Sequence, residues 1–202
     1  MRIKAYIYYS ITIIMKSIFV TLLVLISFGS FAQTTPEASS TVMNAAYAKA
    51  KAEHKNVILM FHASWCGWCK KMEASINDST CRKSFNDNYV IVYLDILENK
   101  GKENLENAGG IDMLKSFGGD PAGGIPFWVI IDANGKSLGN SYLPPADGSK
   151  ATAKDNVGCP AADNEVAYFA GLLKSTSKLT DAQLAIIKTR FRKNNPTSAA
   201  VN

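Results

Sequence analysis

Trp65-Cys66-Gly67-Trp68-Cys69-Lys70 is entered from an apolar run, Val57-Ile58-Leu59-Met60-Phe61. A short apolar run bounded by polar residues reads as a buried strand, so the two cysteines sit at a strand end and a helix start. In the first turn of a helix, positions i and i+3 share a face, so the two sulfurs can close a small disulfide ring and open it again. A helix N-terminus also offers unpaired N–H groups and the positive end of the dipole, both of which favour a thiolate. The thiolate is the reactive form, and such sites lower a cysteine pKa to roughly 3.5–7.5. Cys66 is therefore read as the attacking thiol and Cys69 as the resolving thiol. Two other readings stay open. Half of a zinc site would need a second cysteine or histidine pair, and Cys81 and Cys159 stand apart, with His54 and His62 the only histidines. An inert structural disulfide is the other.

The run Phe61-His62-Ala63-Ser64-Trp65-Cys66-Gly67-Trp68-Cys69-Lys70 resembles the active-site segment of the thioredoxin family. About sixty residues on, Gly124-Ile125-Pro126-Phe127 is similar to that family's cis-proline loop, and an apolar strand, Phe127–Ile131, follows it. The resemblance spans roughly Val57 to Tyr142. It implies a thioredoxin-like α/β fold, with a central mixed β-sheet flanked by helices and, here, a C-terminal helical extension. It further implies that the bond before Pro126 is cis and faces the dithiol. The backbone at Ile125 would then pair with a substrate chain as an added strand. Trp65, Gly67, Trp68, Ile125 and Pro126 are the candidate substrate-binding residues. Many relatives carry Gly-Pro between the cysteines, where this chain has Gly67-Trp68, a large side chain expected to face solvent or a partner. Many also carry a buried acid in the strand that serves the resolving cysteine. That position is Met60 here, and His62 is a candidate substitute, against the plainer reading of an ordinary strand-end residue.

Working outward, 202 residues with 47% hydrophobic and 19% charged content describe one globular domain with extensions. Before it, Met15-Lys16-Ser17 leads into the uncharged run Ile18 to Phe28. Gly29-Ser30-Phe31-Ala32 then offers the small residues that a signal peptidase reads. Residues 1–32 are expected to be a cleaved signal peptide, with 1–14 a start-site artefact if Met15 is the true start; an uncleaved anchor is the alternative. Residues 33–40 read as a linker, 41–175 as the thioredoxin-like domain and 176–202 as a C-terminal helix and tail. Removing Arg2, Lys4 and Lys16, the only charges before Ala32, takes the formal net charge from +5 to +2. No nucleic-acid partner is expected from that balance. An exported, periplasmic location would let disulfides persist.

Within the domain, Thr41 to Ala52 reads as a helix with Val42, Ala45, Ala46, Tyr47, Lys49 and Ala50 on its face. Cys66 to Ile76 is the active helix, with Met72 and Ile76 inward, and Cys81 to Asn88 a second short one. Tyr89 to Ile96 is a strand, Glu98 to Gly110 an inserted loop and Ile111 to Phe117 a helix. Asp132-Ala133-Asn134-Gly135 is a hairpin turn, with Lys136 to Tyr142 returning. Pro144 to Asn156 is polar, too long for a tight link, and reads as a flexible lid or ornament. Asp163 is the expected cap of a helix bearing Val166, Phe169, Ala170 and Leu173. Thr180-Asp181-Ala182-Gln183 is a capping box for a last helix with Leu184, Ile187 and Phe191 inward, and Asn194 onward reads as a frayed tail. Cys159 is placed within reach of the site or paired with Cys81; Cys81 is otherwise a small buried hydrophobe.

The function expected from the resemblance is exported thiol–disulfide oxidoreduction on substrate proteins with disulfides or thiols. A reductive direction and a membrane electron donor are expected by analogy. No cofactor and no metal are called for, and the chain is read as a monomer. The rivals are a metal- or copper-handling module using Cys66, Cys69 and His62, and a chaperone-like binding module.

Overall fold

Seven residues, Asn56–His62, form strand β1, buried along its whole interior because every side chain from Val57 to Phe61 is apolar. It lies second in a four-stranded sheet of order β2-β1-β3-β4. β2 (Tyr89–Asp95) runs parallel to β1, β3 (Phe127–Ile131) runs antiparallel to β1, and β4 (Ser137–Asn140) runs antiparallel to β3. This is the mixed sheet that the resemblance implies. The computed structural model describes residues 35–196, together with Met15 and Lys16. The expected signal peptide falls outside the described residues, except for Met15 and Lys16, and so does the tail beyond Pro196. Among the described residues, no helix is long and apolar enough to cross a membrane.

Because strand side chains alternate faces, β1 and β3 feed two cores. Val57, Leu59, Phe61, Phe127, Val129 and Ile131 meet helix α1 (Ser39–Glu53) and α4 (Gly110–Ser116) on one face. Ile58, Met60, Trp128 and Ile130 meet α2 (Gly67–Ile76), α3 (Arg82–Asn88), α5 (Asp163–Ser175) and α6 (Asp181–Arg192) on the other. The buried side of α1 is Ser39, Met43, Ala46 and Ala50; Ala46 and Ala50 stand there as expected, Val42 and Tyr47 pack half-buried against the same core, and Met43, its largest member, is not among the expected residues.

The C-terminal helices share this second core. Phe169 of α5 and Phe191 of α6 are fully buried against Phe85 of α3. Thr180 caps α6 as its motif predicts, its hydroxyl accepting from the Gln183 N–H at 3.3 Å. The cap of α5 differs from expectation. Asp163 stands inside the first turn, and Glu165 does the work, its Oε2 accepting from the Ala161 and Ala162 N–H groups at 2.9 Å each. Asn194 is no frayed residue either. It is buried, and its amide donates to Ser75 Oγ at 2.9 Å and to Cys159 Sγ at 3.3 Å. Arg190 Nε donates to Asp78 at 2.8 Å, tying α6 to the turn after α2.

Two outcomes follow for stability. Phe191→Ala empties an aromatic site walled by Phe85 and Phe169, and urea unfolding should register a loss of about 3–5 kcal/mol; a loss below about 1 kcal/mol would show α6 to be an appendage. The Asp78 carboxyl is held at about 2 by the Thr80 hydroxyl, then the Thr80 N–H and the Arg190 guanidinium. A folded value below the unfolded one stabilises above the ordinary carboxylate range, and that contribution fades as pH falls towards about 2. Asp78→Asn should therefore flatten the acid limb of a stability–pH profile between pH ~4 and ~2, leaving the slope near neutrality unchanged.

Candidate active site

The sheet register places the parts. Phe61 faces Phe127 across β1 and β3, so the residues leading into Phe127 lie beside those leaving Phe61. That brings Ile125 and Pro126 next to Ala63 and the cysteines that follow. The Ile125–Pro126 peptide is cis, as expected. Ala63, Cys66 and Cys69 form a small buried cluster that Ile125 covers. The Cys66 sulfur lies 3.6 Å from the Ile125 carbonyl oxygen.

Cys66 and Cys69 are joined as a disulfide, with Cα atoms 5.3 Å apart. Cys66 is the N-cap residue of α2, and its sulfur accepts from the Cys69 N–H at 3.1 Å. A free backbone donor of the first helical turn is thus aimed at the sulfur, as in any N-cap, except that the acceptor is a reactive atom. The same donor would stabilise a thiolate once the disulfide opens. Trp65, just before the pair, and Trp68, between its two cysteines, stay 49% and 42% exposed, and Lys71 Nζ sits 4.1 Å over the Trp68 ring. The expectation that Trp68 faces outward is met.

Sequence reading missed what holds the approach to Cys66. Leu97 adopts a positive φ of 56° just beyond β2. Its carbonyl accepts from Trp65 Nε1 at 2.8 Å. The Glu98 carboxylate accepts from both the Ser64 N–H and the Ser64 hydroxyl, and Glu106 accepts from the Glu98 N–H at 2.8 Å. The 96–110 loop therefore grips the two residues ahead of Cys66. A leucine gives no hint of a left-handed turn, so no local signal announced this grip.

Met60 is fully buried between Tyr93 and Trp128, its register partners. His62 Nε2 lies 3.2 Å from Asp95 Oδ1 and edge-on to Tyr93. Burial pushes the Asp95 carboxyl up while His62 pulls it back down, and burial with the Glu73 charge drives the Tyr93 phenol up to about 12. Cys81 and Cys159 are both buried and unpaired, so the suggested disulfide between them is absent. Cys81 has room only as a core side chain. Cys159 lines a groove of about 410 Å³ with Trp68, Ile125 and Pro126, as the reach-of-site alternative had it. Burial pushes its thiol up to about 12, which makes it a poor nucleophile. Among the described residues, no three His, Cys, Asp or Glu side chains gather as metal ligands do.

Glu98→Gln keeps an acceptor for Ser64 and removes a negative charge near Cys66. The thiolate then forms more easily, and the Cys66 titration of the reduced protein should move to lower pH, more at low salt than at high. Thiolate ultraviolet absorbance followed against pH reads the change; an unmoved titration would make the carboxylate a mechanical tie alone.

The model of the thioredoxin-like domain family matches residues 43–154. The disulfide bond reductase DsbH of Chlamydia pneumoniae is 29% identical over 128 residues, covering 60% of this chain and 75% of that protein. A solved DsbH oxidoreductase aligns over 73% of this chain and 96% of its own, at 22% identity and a TM-score of 0.43. A disulphide isomerase from Xylella fastidiosa Temecula1 aligns over 54% of this chain and 80% of its own, at 22% identity and a TM-score of 0.42. With the family model spanning more than half of the sequence, the chain belongs to the thioredoxin-like family, among its thiol–disulfide oxidoreductases.

Proposed function

We propose that the chain is an exported protein-disulfide reductase that works through Cys66 and Cys69. The observation that carries the roles is the Cys69 N–H aimed at the Cys66 sulfur, which lies beside the Ile125 carbonyl. In the reduced protein, the Cys66 thiolate attacks one sulfur of a substrate disulfide. The substrate S–S bond breaks, a Cys66–substrate bond forms, and the departing substrate thiolate takes up a proton. Cys69 then loses its proton and attacks Cys66. The mixed disulfide breaks, the Cys66–Cys69 bond forms, and the second substrate thiol leaves. The substrate gains two electrons, and the protein gives them up. An external thiol donor must then reduce Cys66–Cys69 for another turnover, and a membrane electron donor fits an exported enzyme.

Trp65, Gly67, Trp68, Ile125 and Pro126 are assigned to the substrate surface, with Ile125 offering backbone pairing to an extended chain. Export is supported by the uncharged run Ile18 to Phe28 and the small-residue exit at Gly29-Ser30-Phe31-Ala32. The reductive direction is supported by the Chlamydia pneumoniae relative, a disulfide bond reductase.

Cys66→Ser should abolish turnover of a protein disulfide, whereas Cys69→Ser should accumulate mixed disulfides visible on non-reducing gels. An inactive Cys69→Ser protein that traps nothing would reverse the assigned roles. Equilibration with dithiothreitol should return a potential near roughly −270 mV; a value near roughly −120 mV would make the protein a disulfide donor.

A further inference from the structure

We propose that the 143–158 loop is a brace for the substrate-pairing backbone and that Asn156 is its positioning residue. The inference rests on the oxidoreductase reading and names what the site is shaped for: disulfides within extended polypeptide segments, in preference to small disulfides.

The loop is closed at its base. Tyr142 and Asn156 form an antiparallel bridge, with the Leu143 N–H donating to the Asp155 carbonyl at 2.9 Å and the Val157 N–H to the Ser141 carbonyl at 2.8 Å. From that base the Asn156 amide reaches the segment carrying Ile125. Its Nδ2 shares two hydrogens among the carbonyls of Gly123 at 3.1 Å, Gly124 at 3.1 Å and Pro126 at 3.3 Å. Its Oδ1 accepts from the Gly158 N–H at 3.1 Å. Carbonyls on one side and an N–H on the other fix which way the amide points.

A second contact joins the same two segments. A Cβ on Gly123 would stand 2.9 Å from the Ala153 Cβ and 3.3 Å from the Ala153 Cα and carbonyl oxygen, so only glycine lets the loop approach this closely. The braced carbonyls lie on both sides of Ile125. Among the described residues, neither the N–H nor the carbonyl of Ile125 has a backbone partner. Asn156 thus engages the neighbours and leaves the pairing residue open. Holding that backbone in place before a substrate arrives removes part of the ordering cost of strand addition. A small disulfide makes no such pairing and gains nothing from the brace. Asn156 itself touches neither sulfur.

The experiment compares reduction of insulin with reduction of hydroxyethyl disulfide by Asn156→Ala and Asn156→Asp, the second keeping the acceptor for Gly158 and losing the donor. The insulin KM should rise about five- to tenfold with kcat unchanged, the worth of a lost hydrogen bond or two. Turnover of hydroxyethyl disulfide and the Cys66–Cys69 potential should not move. An unchanged insulin KM, an equal loss on both substrates, or failure of both variants to fold would each overturn the proposal. Inactivity of the unsubstituted protein on both substrates would overturn the oxidoreductase reading and the proposal with it.

Discussion

The 3.1 Å contact between the Cys69 N–H and the Cys66 sulfur sets the terms for the rest of the molecule. It exists only where a helix begins, because only there is a backbone N–H left without an intrahelical partner. The fold must therefore deliver a helix N-terminus to one point and keep a substrate's path to it open. β1 does the first by running straight into the turn before α2, with all five interior residues buried. The core on the α2 face does the second indirectly. Met72 and Ile76 anchor the helix from below, Ile125 covers the cysteines at its start, and Trp65 and Trp68 remain exposed there.

Two loops steady that start from opposite sides. The 96–110 loop grips Ser64 and Trp65 through Glu98 and the Leu97 carbonyl. The 143–158 loop grips the Gly123–Pro126 segment through Asn156. Both grips use side chain–backbone hydrogen bonds, each worth about 1 kcal/mol net. Such bonds fix position more than they add stability. Trp128 links the second grip to the core, its indole N–H donating to the Gly158 carbonyl at 2.8 Å. The β3 residue two places after Pro126 is thus tied to the loop that braces the segment ahead of it.

What the sequence made legible is what depends on periodicity and local chemistry. The apolar runs of β1 and β3 have clear bounds, and the Thr180–Gln183 capping box is a short-range pattern. Cys66 and Cys69 are found by spacing, and Pro126 by the resemblance of its loop to that of the thioredoxin family. What stayed hidden depends on long-range pairing. Asn194 sits in a polar tail sequence, yet the fold buries it between Ser75 and Cys159. Asn156 closes a polar stretch that reads as an ornament, and its three carbonyl partners lie some thirty residues earlier. On α1 the reading found Ala46 and Ala50 but missed Met43, because alanines suit either face and Tyr47 drew the pattern away from it.

Met60 bears on how the proton moves. A carboxyl at that fully buried position would need a partner for its charge, and a thioether needs none, so the methionine removes a strain on the core. It also removes an internal base from beneath the active helix. In the proposed cycle this absence need not stall the resolving step. Cys69 must lose one proton as it attacks, and the substrate thiolate that departs must gain one. The transfer balances at the mouth of the site, through solvent beside Trp68 and Ile125, and no group inside the sheet has to change charge.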